Sequence, residues 1–401
     1  MRLAGHDVIV IGAGVAGLTT AMAMAQRGAN VRVFERATAL REVGAGIQVG
    51  PNGVAVMEAL GLRDAAESRA SLPRAIEMRD RGSGRQVARI PLGQDCVARY
   101  GRPYWHLHRA DLLEILADGA EEAGVALHLG SEVASTTPTQ GGCRVCLADG
   151  TEEEAAIVVG ADGLRSRTRG EHFSALSPRY TGNVAWRGVV PASRLPPDFL
   201  AGTTTVFMGP KRHIVTYPLR GGELRNLVAV EERPDMVPEG WMQMDDPANL
   251  RDAFSGWGED VRTLLGAVER TFLWGLFDHP PLKTWVSGHL VLAGDACHPT
   301  LPFLAQGAAM GLEDGWVLAA ELDVAPDIET GLRAYEARRK SRVTKVQSAS
   351  RRNGTIFHLG PGLRQVAHLG MSAVTGVAPG LLIGAYDWLY GADVVSAQAT
   401  A

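Results

Sequence analysis

A glycine-rich turn near the start of the chain, Gly12-x-Gly14-x-x-Gly17, constrains the fold more than any other feature. It follows a continuous apolar run at 7–11, which is typical of a buried parallel strand. An Ala-, Met- and Leu-rich helical segment comes next, and a second strand then ends at Glu35, 23 residues after Gly12. This order predicts a dinucleotide-binding βαβ unit.

The residues of this turn have different physical tasks. Gly12 permits the tight turn, Gly14 lets the backbone approach a pyrophosphate, and Gly17 lets the helix pack closely on the strand. The helix that begins at Val15 and Ala16 would direct its positive N-terminus at the phosphates. The turn alone does not separate NAD from FAD.

Three further sites are expected to bind the nucleotide. Glu35, followed by Arg36, is placed to accept hydrogen bonds from a ribose hydroxyl. Asp162 lies in a Gly-Ala-Asp-Gly turn after a buried strand, and Asp295 follows the strand-like run 288–293. Either aspartate alone could be only an Asx-turn. All of these segments in this order are difficult to explain as coincidence.

Composition excludes several function classes. The 401 residues exceed what one core usually supports, and 46% hydrophobic with 21% charged residues is ordinary for a globular enzyme. A net charge of −4 gives no basic field for nucleic acid. No run approaches the roughly 20 apolar residues of a membrane span, and the start does not resemble a signal peptide. A cytoplasmic enzyme is expected.

Cysteine and histidine patterns do not predict a metal site. The Cys143-x-x-Cys146 pair lies in a hairpin-like stretch, with no second pair at zinc spacing. His106 and His108 could share a strand face, but a third ligand is not evident. His298 is as consistent with a structural role as with a catalytic one.

Patterning along the chain predicts an α/β fold with a discontinuous nucleotide-binding domain. That domain is expected at 1–170 and 286–350, with a substrate-side insertion around 70–105. Alternating segments separated by Pro/Gly turns predict a mostly antiparallel β domain at 171–285, and residues 351–401 are expected to be helical. The basic segment Arg338 to Arg352 is interpreted as a solvated helix face.

Together the three acid-bearing segments resemble the group A flavoprotein monooxygenases, the fold of 4-hydroxybenzoate hydroxylase, from residue 5 to about 350. The resemblance implies a Rossmann-like FAD-binding domain covered by a β layer for the substrate. It implies FAD as cofactor and NADH (or NADPH) and O₂ as co-substrates, with hydroxylation through a flavin C4a-hydroperoxide. A homodimer is a further expectation, whereas nucleic acid is not an expected partner.

The resemblance also assigns roles to residues. The glycine turn and Glu35 would hold the ADP half of FAD, Asp162 would contact FAD and NAD(P)H, and Asp295 would hold the ribityl chain. The remaining cofactor-binding assignments are Gln48, Arg109 beside the flavin, and Gly307 and Ala308 at the start of a helix aimed at the flavin pyrimidine. A helix N-terminus there would stabilise the anionic reduced ring.

Within the family the chain is most similar to 3-hydroxybenzoate 6-hydroxylases and salicylate hydroxylases. The supporting stretches are 43–52, 104–109, 213–222 and 386–391. They imply hydroxylation of a small phenolic acid such as 3-hydroxybenzoate, which would give gentisate. Decarboxylating hydroxylation of salicylate and hydroxylation of another phenolic or heteroaromatic ring are alternatives.

A phenol reacts best as phenolate, so a base near its hydroxyl is expected. His213 suits that role because its ordinary pKa is near neutral, and Tyr217 shares its strand face. Gln306 is the third catalytic candidate. Pro302 stands where some 3-hydroxybenzoate enzymes carry an amide, which leaves the ring undecided. Arg187 is a candidate partner for a substrate carboxylate.

Three rival functions remain open at this point. An NAD-dependent dehydrogenase would need no Asp295 segment and would be colourless. A flavin-dependent halogenase would require a W-x-W-x-I-P stretch, which the sequence lacks. A flavoprotein that binds a ligand without turnover would hold FAD but would not oxidise NADH in response to a phenol.

Overall fold

The structure is a computed structural model that describes residues 3–40, 46–237, 243–377 and 379–397. Residues 43–45, part of one stretch that carried the family resemblance, lie outside the described residues. In chain order the strands are β1 (Asp7–Ile11), β2 (Asn30–Glu35), β3 (Gly46–Val49), β4 (Ala75–Asp80), β5 (Gln86–Pro91), β6 (Trp105–His108), β7 (Ala126–Leu129), β8 (Val133–Thr139), β9 (Gly142–Leu147), β10 (Glu152–Ala155), β11 (Ile157–Gly160), β12 (Arg179–Pro191), β13 (Thr203–Gly209), β14 (Arg212–Leu219), β15 (Leu224–Glu232), β16 (Met244–Asp245), β17 (Thr271–Asp278), β18 (Val286–Ser287) and β19 (Leu290–Leu292).

The helices surround these strands and dominate the last part of the chain. They are α1 (Val15–Ala25), α2 (Pro51–Ala59), α3 (Arg63–Arg69), α4 (Gln94–Tyr100), α5 (Arg109–Glu122), α6 (Arg167–His172), α7 (Pro247–Ala253), α8 (Glu259–Gly266), α9 (Gly307–Val324), α10 (Ile328–Phe357), α11 (Leu363–Val377), α12 (Pro379–Gly384) and α13 (Asp387–Tyr390). Short 3₁₀ turns occupy Ala192–Arg194, Arg220–Gly222, Gly294–Ala296 and Pro302–Leu304.

The first sheet has the strand order β18-β19-β11-β1-β2-β7 and is parallel except at β18. Its central strands are apolar and buried, as a parallel sheet covered on both faces requires, with Val10 paired to Val159 and Val33. Helices α1, α5 and α9 pack together beside it. The α/β class predicted from the glycine turn is confirmed.

The second sheet has the order β16-β17-β12-β15-β14-β13-β4-β5 and is antiparallel except where β4 runs parallel to β13. One of its faces packs with α7 and α8 around Trp186 and Phe254. Its other face buries Trp274 with Phe303 and Phe357. Strands β4 and β5 come from 75–91, yet they extend the sheet of the later segment. The domain division stays a prediction.

The basic segment Arg338 to Arg352 is not simply a solvated face, and that interpretation is wrong for two of its arginines. Arg339 is 1% exposed, and its guanidinium contacts Glu313 at 2.5 Å and Asp314 at 2.7 Å. Arg342 contacts Glu313 at 2.6 Å. The physical reason is that α9 carries carboxylates with no exposure to solvent, which need counter-charges in the interior.

Two properties limit the possible functions further. Among the helices of the described residues, none has both the length and the apolar character needed to cross a bilayer. Over the same residues there is no group of three or more His, Cys, Asp or Glu side chains arranged to hold a metal ion. Cys143 and Cys146 are free thiols on β9, and only Cys143 is fully buried.

Candidate active site

A cavity of about 270 Å³ is lined by two sets of residues, one from each sheet's side of the molecule. The cofactor wall comprises Gly14, Val15, Ala16, Asp295, Gly307 and Ala308, which belong to turns and helix starts around the first sheet. The substrate wall comprises Arg187, His213, Val215, Tyr217 and Val228, which all lie on strands of the second sheet.

The glycine turn of the cofactor wall leaves space only where a ligand would lie. Gly12 has φ +101°, and a Cβ there would lie 2.5 Å from the Ala161 carbonyl oxygen. A Cβ on Gly17 would lie 1.9 Å from the Gly12 oxygen, so helix and strand approach through this glycine. A Cβ on Gly14 would meet nothing within 4 Å, because this residue faces the cavity. The turn therefore fits a dinucleotide pyrophosphate.

Glu35 lies beside this turn and braces it. Its two carboxylate oxygens accept hydrogen bonds from the backbone N–H groups of Ala13 and Ala37, each at 2.8 Å. Arg36 is exposed next to it. Neither Glu35 nor Arg36 is among the described residues that line the cavity, so their contact with a ribose stays a prediction.

Two helices begin at the cofactor wall. Helix α1 starts at Val15 after Gly14, and α9 starts at Gly307 after Gln306. Neither N-cap has a side-chain hydrogen bond, so the first N–H groups of both helices remain available for an anion. Each helix start favours negative charge by roughly 0.3–2 kcal/mol. This suits a diphosphate at one start and a negatively charged flavin ring at the other.

The two aspartates of the nucleotide segments differ in position. The Asp162 carboxylate accepts hydrogen bonds from Ser166 Oγ at 2.5 Å and from the Thr168 N–H at 3.1 Å, so it binds the start of α6. The neighbouring Ala161 and Gly163, rather than the Asp162 side chain, face the cavity. Asp295, by contrast, is exposed on the cofactor wall, and its contact with the ribityl chain stays a prediction.

A buried ionic network fixes the turn that carries Asp295, and sequence reasoning missed it. Asp314 Oδ2 accepts hydrogen bonds from the Gly294 N–H at 2.9 Å and from His298 Nε2 at 2.6 Å. Burial would raise the pKa of Asp314, but His298 and Arg339 outweigh it and lower this pKa to about 2. His298 therefore supports this turn, and it belongs to neither wall of the cavity.

Of Gln48, Arg109 and Gln306, the first two line the cavity and the third does not. Gln48 and Arg109 line the cavity, and Gln48 accepts a hydrogen bond from the Tyr104 hydroxyl at 2.8 Å. Gln306 is 1% exposed, and its Oε1 accepts from Asn52 Nδ2 at 3.1 Å. It does not lie among the described cavity-lining residues, so the structure does not bring Gln306 together with His213.

The substrate wall brings the other two catalytic candidates together. His213, Val215 and Tyr217 alternate along β14 and all line the cavity. Burial and the neighbouring His358 hold the pKa of His213 well below its usual range. Burial raises the pKa of Tyr217, although Arg187 opposes the shift, so this phenol stays protonated as a donor. Arg187 stacks 4.2 Å above the Trp274 ring.

Two residues that the sequence reasoning did not assign hold Tyr217 in place. Asn226 accepts a hydrogen bond from the Gly46 N–H at 2.7 Å, which brings that backbone against the Tyr217 ring. His106 packs 4.6 Å from the Tyr217 ring and bonds Thr204 Oγ1 at 2.9 Å. Burial and Arg225 lower the pKa of His106 to about 3, so it is a neutral packing residue.

Comparison with known proteins decides the family. Residues 5–350 match the model of a family described as an FAD binding domain. The chain belongs to this family of FAD-dependent aromatic monooxygenases. A 3-amino-4-hydroxybenzoate 2-monooxygenase of Streptomyces platensis is 41% identical over 89% of this chain and 90% of its own. The 3-hydroxybenzoate 6-hydroxylase of Polaromonas naphthalenivorans is 34% identical over 96% of both chains.

A solved structure agrees with these relatives. A salicylate hydroxylase substrate complex superposes with a TM-score of 0.81 at 26% identity, over 98% of this chain and 96% of that one. The predicted family, the predicted enzyme class and the predicted FAD cofactor are therefore confirmed. NAD(P)H is the co-substrate typical of this family. The dehydrogenase and binding-only alternatives are no longer favoured.

Proposed function

We propose that this FAD-dependent monooxygenase hydroxylates a small phenolic acid, with NADH or NADPH as electron donor and O₂ as oxidant. The observation that supports this most is the composition of the substrate wall. A histidine, a protonated tyrosine and an arginine lie on strands of one sheet and line the same cavity as the cofactor wall. These are a base, a hydrogen-bond donor and a partner for a carboxylate.

In this proposal FAD, bound at the cofactor wall, supplies oxygen activation with electrons from NAD(P)H. The protein supplies position and proton transfer. His213 accepts the phenolic proton and so makes the ring electron-rich, and the Tyr217 hydroxyl orients the resulting phenolate. Arg187, whose guanidinium lies over the Trp274 ring, binds the carboxylate. The N-terminus of α9 would stabilise negative charge on the reduced flavin.

The ring is proposed to be a hydroxybenzoate. The relatives named 3-amino-4-hydroxybenzoate 2-monooxygenase are 40–41% identical to the chain, against 31–34% for those named 3-hydroxybenzoate 6-hydroxylase. We therefore place 3-amino-4-hydroxybenzoate first and 3-hydroxybenzoate, with gentisate as its product, second. Two relatives named 6-hydroxynicotinate 3-monooxygenase, 36–37% identical, support a heteroaromatic ring as a further candidate.

A substrate panel tests the proposal. Purified yellow holoenzyme is given NADH or NADPH with each of four acids: 3-amino-4-hydroxybenzoate, 3-hydroxybenzoate, salicylate and 6-hydroxynicotinate. We expect one acid to accelerate NAD(P)H oxidation well above the rate measured without any acid. Product identification by mass spectrometry should show one added oxygen atom, together with the loss of CO₂ where the hydroxylation is decarboxylating, as proposed for salicylate. Background rates with all four acids would overturn the proposed substrate class.

A further inference from the structure

Three side chains connect the substrate wall to the protein surface in one unbroken line. His213 Nδ1 lies 2.7 Å from His358 Nε2, and His358 Nδ1 lies 2.8 Å from Glu232 Oε1. His213 is 1% exposed, whereas the Glu232 side chain is 43% exposed. The line therefore begins at the cavity and ends in solvent. His358 and Glu232 lie up to 145 residues from His213 in sequence, and neither has a role in the proposed function so far.

Aromatic side chains surround the inner part of this line. The His213 ring packs 5.3 Å from Phe303 and 5.1 Å from Phe357, measured between ring centroids. His358 follows the last residue of α10, and its carbonyl accepts a hydrogen bond from the Lys211 N–H at 3.2 Å. Both ring nitrogens of His358 are thus engaged, one with each neighbour in the line.

The outer end opens into a surface cleft lined by His358 and Glu232. The other charged groups of that cleft are Arg179, Arg351 and Asp278. Both arginines contact the Asp278 carboxylate, at 3.4 and 3.2 Å, which offsets part of their positive charge. Glu232 contacts His358 in the same cleft, which makes this carboxylate the acceptor for any proton leaving the interior.

We propose that His213, His358 and Glu232 form a proton relay that carries the phenolic proton of the substrate to solvent. The phenol O–H bond breaks as Nε2 of His213 takes the proton. The Nδ1 proton of His213 passes to Nε2 of His358, and the Nδ1 proton of His358 passes to the Glu232 carboxylate, which releases it to water. No redox change occurs, and the balance is phenol plus water giving phenolate plus hydronium.

The burial of His213 explains why a relay is needed. Burial and His358 hold the pKa of His213 well below its usual range, which disfavours a second proton on this ring. Passing it on at the other ring nitrogen leaves His213 without a net charge throughout. Burial also lowers the pKa of His358, although Glu232 opposes that shift, so the proton continues to the exposed carboxylate.

The relay rests on the proposed function, and a proton-release experiment can show whether one of the two hypotheses fails without the other. Holoenzyme in weak buffer with an indicator dye is mixed rapidly with 3-amino-4-hydroxybenzoate or 3-hydroxybenzoate. Phenolate formation is followed in the ultraviolet, and proton release is followed by the dye. Glu232→Gln and His358→Ala should each slow both signals about tenfold while FAD binding stays unchanged. Exogenous imidazole should restore the rate of His358→Ala, because His358 borders the cleft, but not that of Glu232→Gln.

Controls make each outcome decisive. Arg351→Gln changes the charge of the same cleft without touching the line, and it should match the wild type. A His358→Ala variant that binds FAD, reacts slowly and is not rescued by imidazole would mean a packing role and would overturn the relay. Wild-type rates in Glu232→Gln would overturn it as well. If the wild type turns over a phenolic acid without releasing a proton, the relay is wrong but the proposed function stands. If the wild type is inactive with every acid, the proposed function is wrong as well.

Discussion

The two walls of the cavity recognise their ligands by different means. The cofactor wall presents glycines, alanines and backbone N–H groups at the starts of α1 and α9. Its charged side chain is Asp295, and Arg109 also lines the cavity. The substrate wall presents side chains from β-strands, among them an imidazole, a phenol and a guanidinium. One wall is shaped by the backbone and the other by side chains.

The support behind each wall differs in the same way. Behind the cofactor wall, Asp314 and Arg339 form a buried network whose charges are paired within the protein. Behind the substrate wall, His213 leads through His358 to an exposed carboxylate. In the proposed mechanism, the paired charges hold the cofactor side in one arrangement, whereas the substrate side gives the phenolic proton a route to solvent. Variants on each side should therefore fail differently.

The largest effect is expected from Asp314→Asn, which disrupts the buried ionic network behind the cofactor wall. The substitution removes one of the two buried carboxylates that contact Arg339, and the one that contacts His298, so the free energy of unfolding should fall by about 3–5 kcal/mol. FAD affinity should fall with it, because Asp314 holds the Gly294 N–H of the turn that carries Asp295. Urea unfolding and flavin fluorescence measure the two losses.

The pH dependence of this deficit has a fixed sign. The pKa of Asp314 is lowered to about 2 in the folded protein, so its contribution to stability is present above its unfolded pKa of about 3.9 and is lost as pH falls towards 2. The deficit of Asp314→Asn should therefore be full at neutral pH and smaller at a pH of about 3. The exposed Asp118→Asn is the matched control and should unfold like the wild type. A pH-independent deficit would contradict the assignment.

The second effect belongs to the substrate side. His213→Ala should retain FAD and fold normally, yet lose about a hundredfold in product formed per NAD(P)H oxidised, because the phenol keeps its proton. Product yield against NAD(P)H consumption measures this coupling. His128→Ala, which removes an exposed imidazole from the edge strand β7, should leave coupling unchanged. Loss of FAD in His213→Ala would instead show that His213 is structural.

The difference between the walls also explains what the sequence could predict. The cofactor wall depends on residues close together in the chain, so the spacing of Gly12, Gly14 and Gly17 was sufficient to predict its turn and helix. Side chains alternate between the two faces of a strand, so recognition of β14 as a strand was sufficient to predict that His213 and Tyr217 share one face. The partners of these side chains come from distant elements. No local pattern links His213 to His358, and no helical pattern shows that Arg339 faces buried carboxylates.

The same limit applied to Gln306. Its place just ahead of α9 suggested contact with the substrate, but its side chain turns inward to Asn52 and is buried. The direction of a loop side chain depends on packing partners, which in this case are more than 250 residues away in the sequence. Residue type and position therefore predicted the segment correctly as part of the site, but they did not establish which atoms face the cavity.

The smallest effect should come from Arg187→Lys on the substrate wall. Lysine keeps the positive charge but loses the planar guanidinium that stacks 4.2 Å above Trp274 and can bind a carboxylate with two hydrogen bonds. We expect KM for a hydroxybenzoate to rise about tenfold with kcat nearly unchanged, because a ground-state contact is weakened. The corresponding phenol without a carboxylate is the matched control, and its KM should be the same in both proteins. An equal rise in KM for the acid and the phenol would place the substrate carboxylate elsewhere and make Arg187 a packing residue.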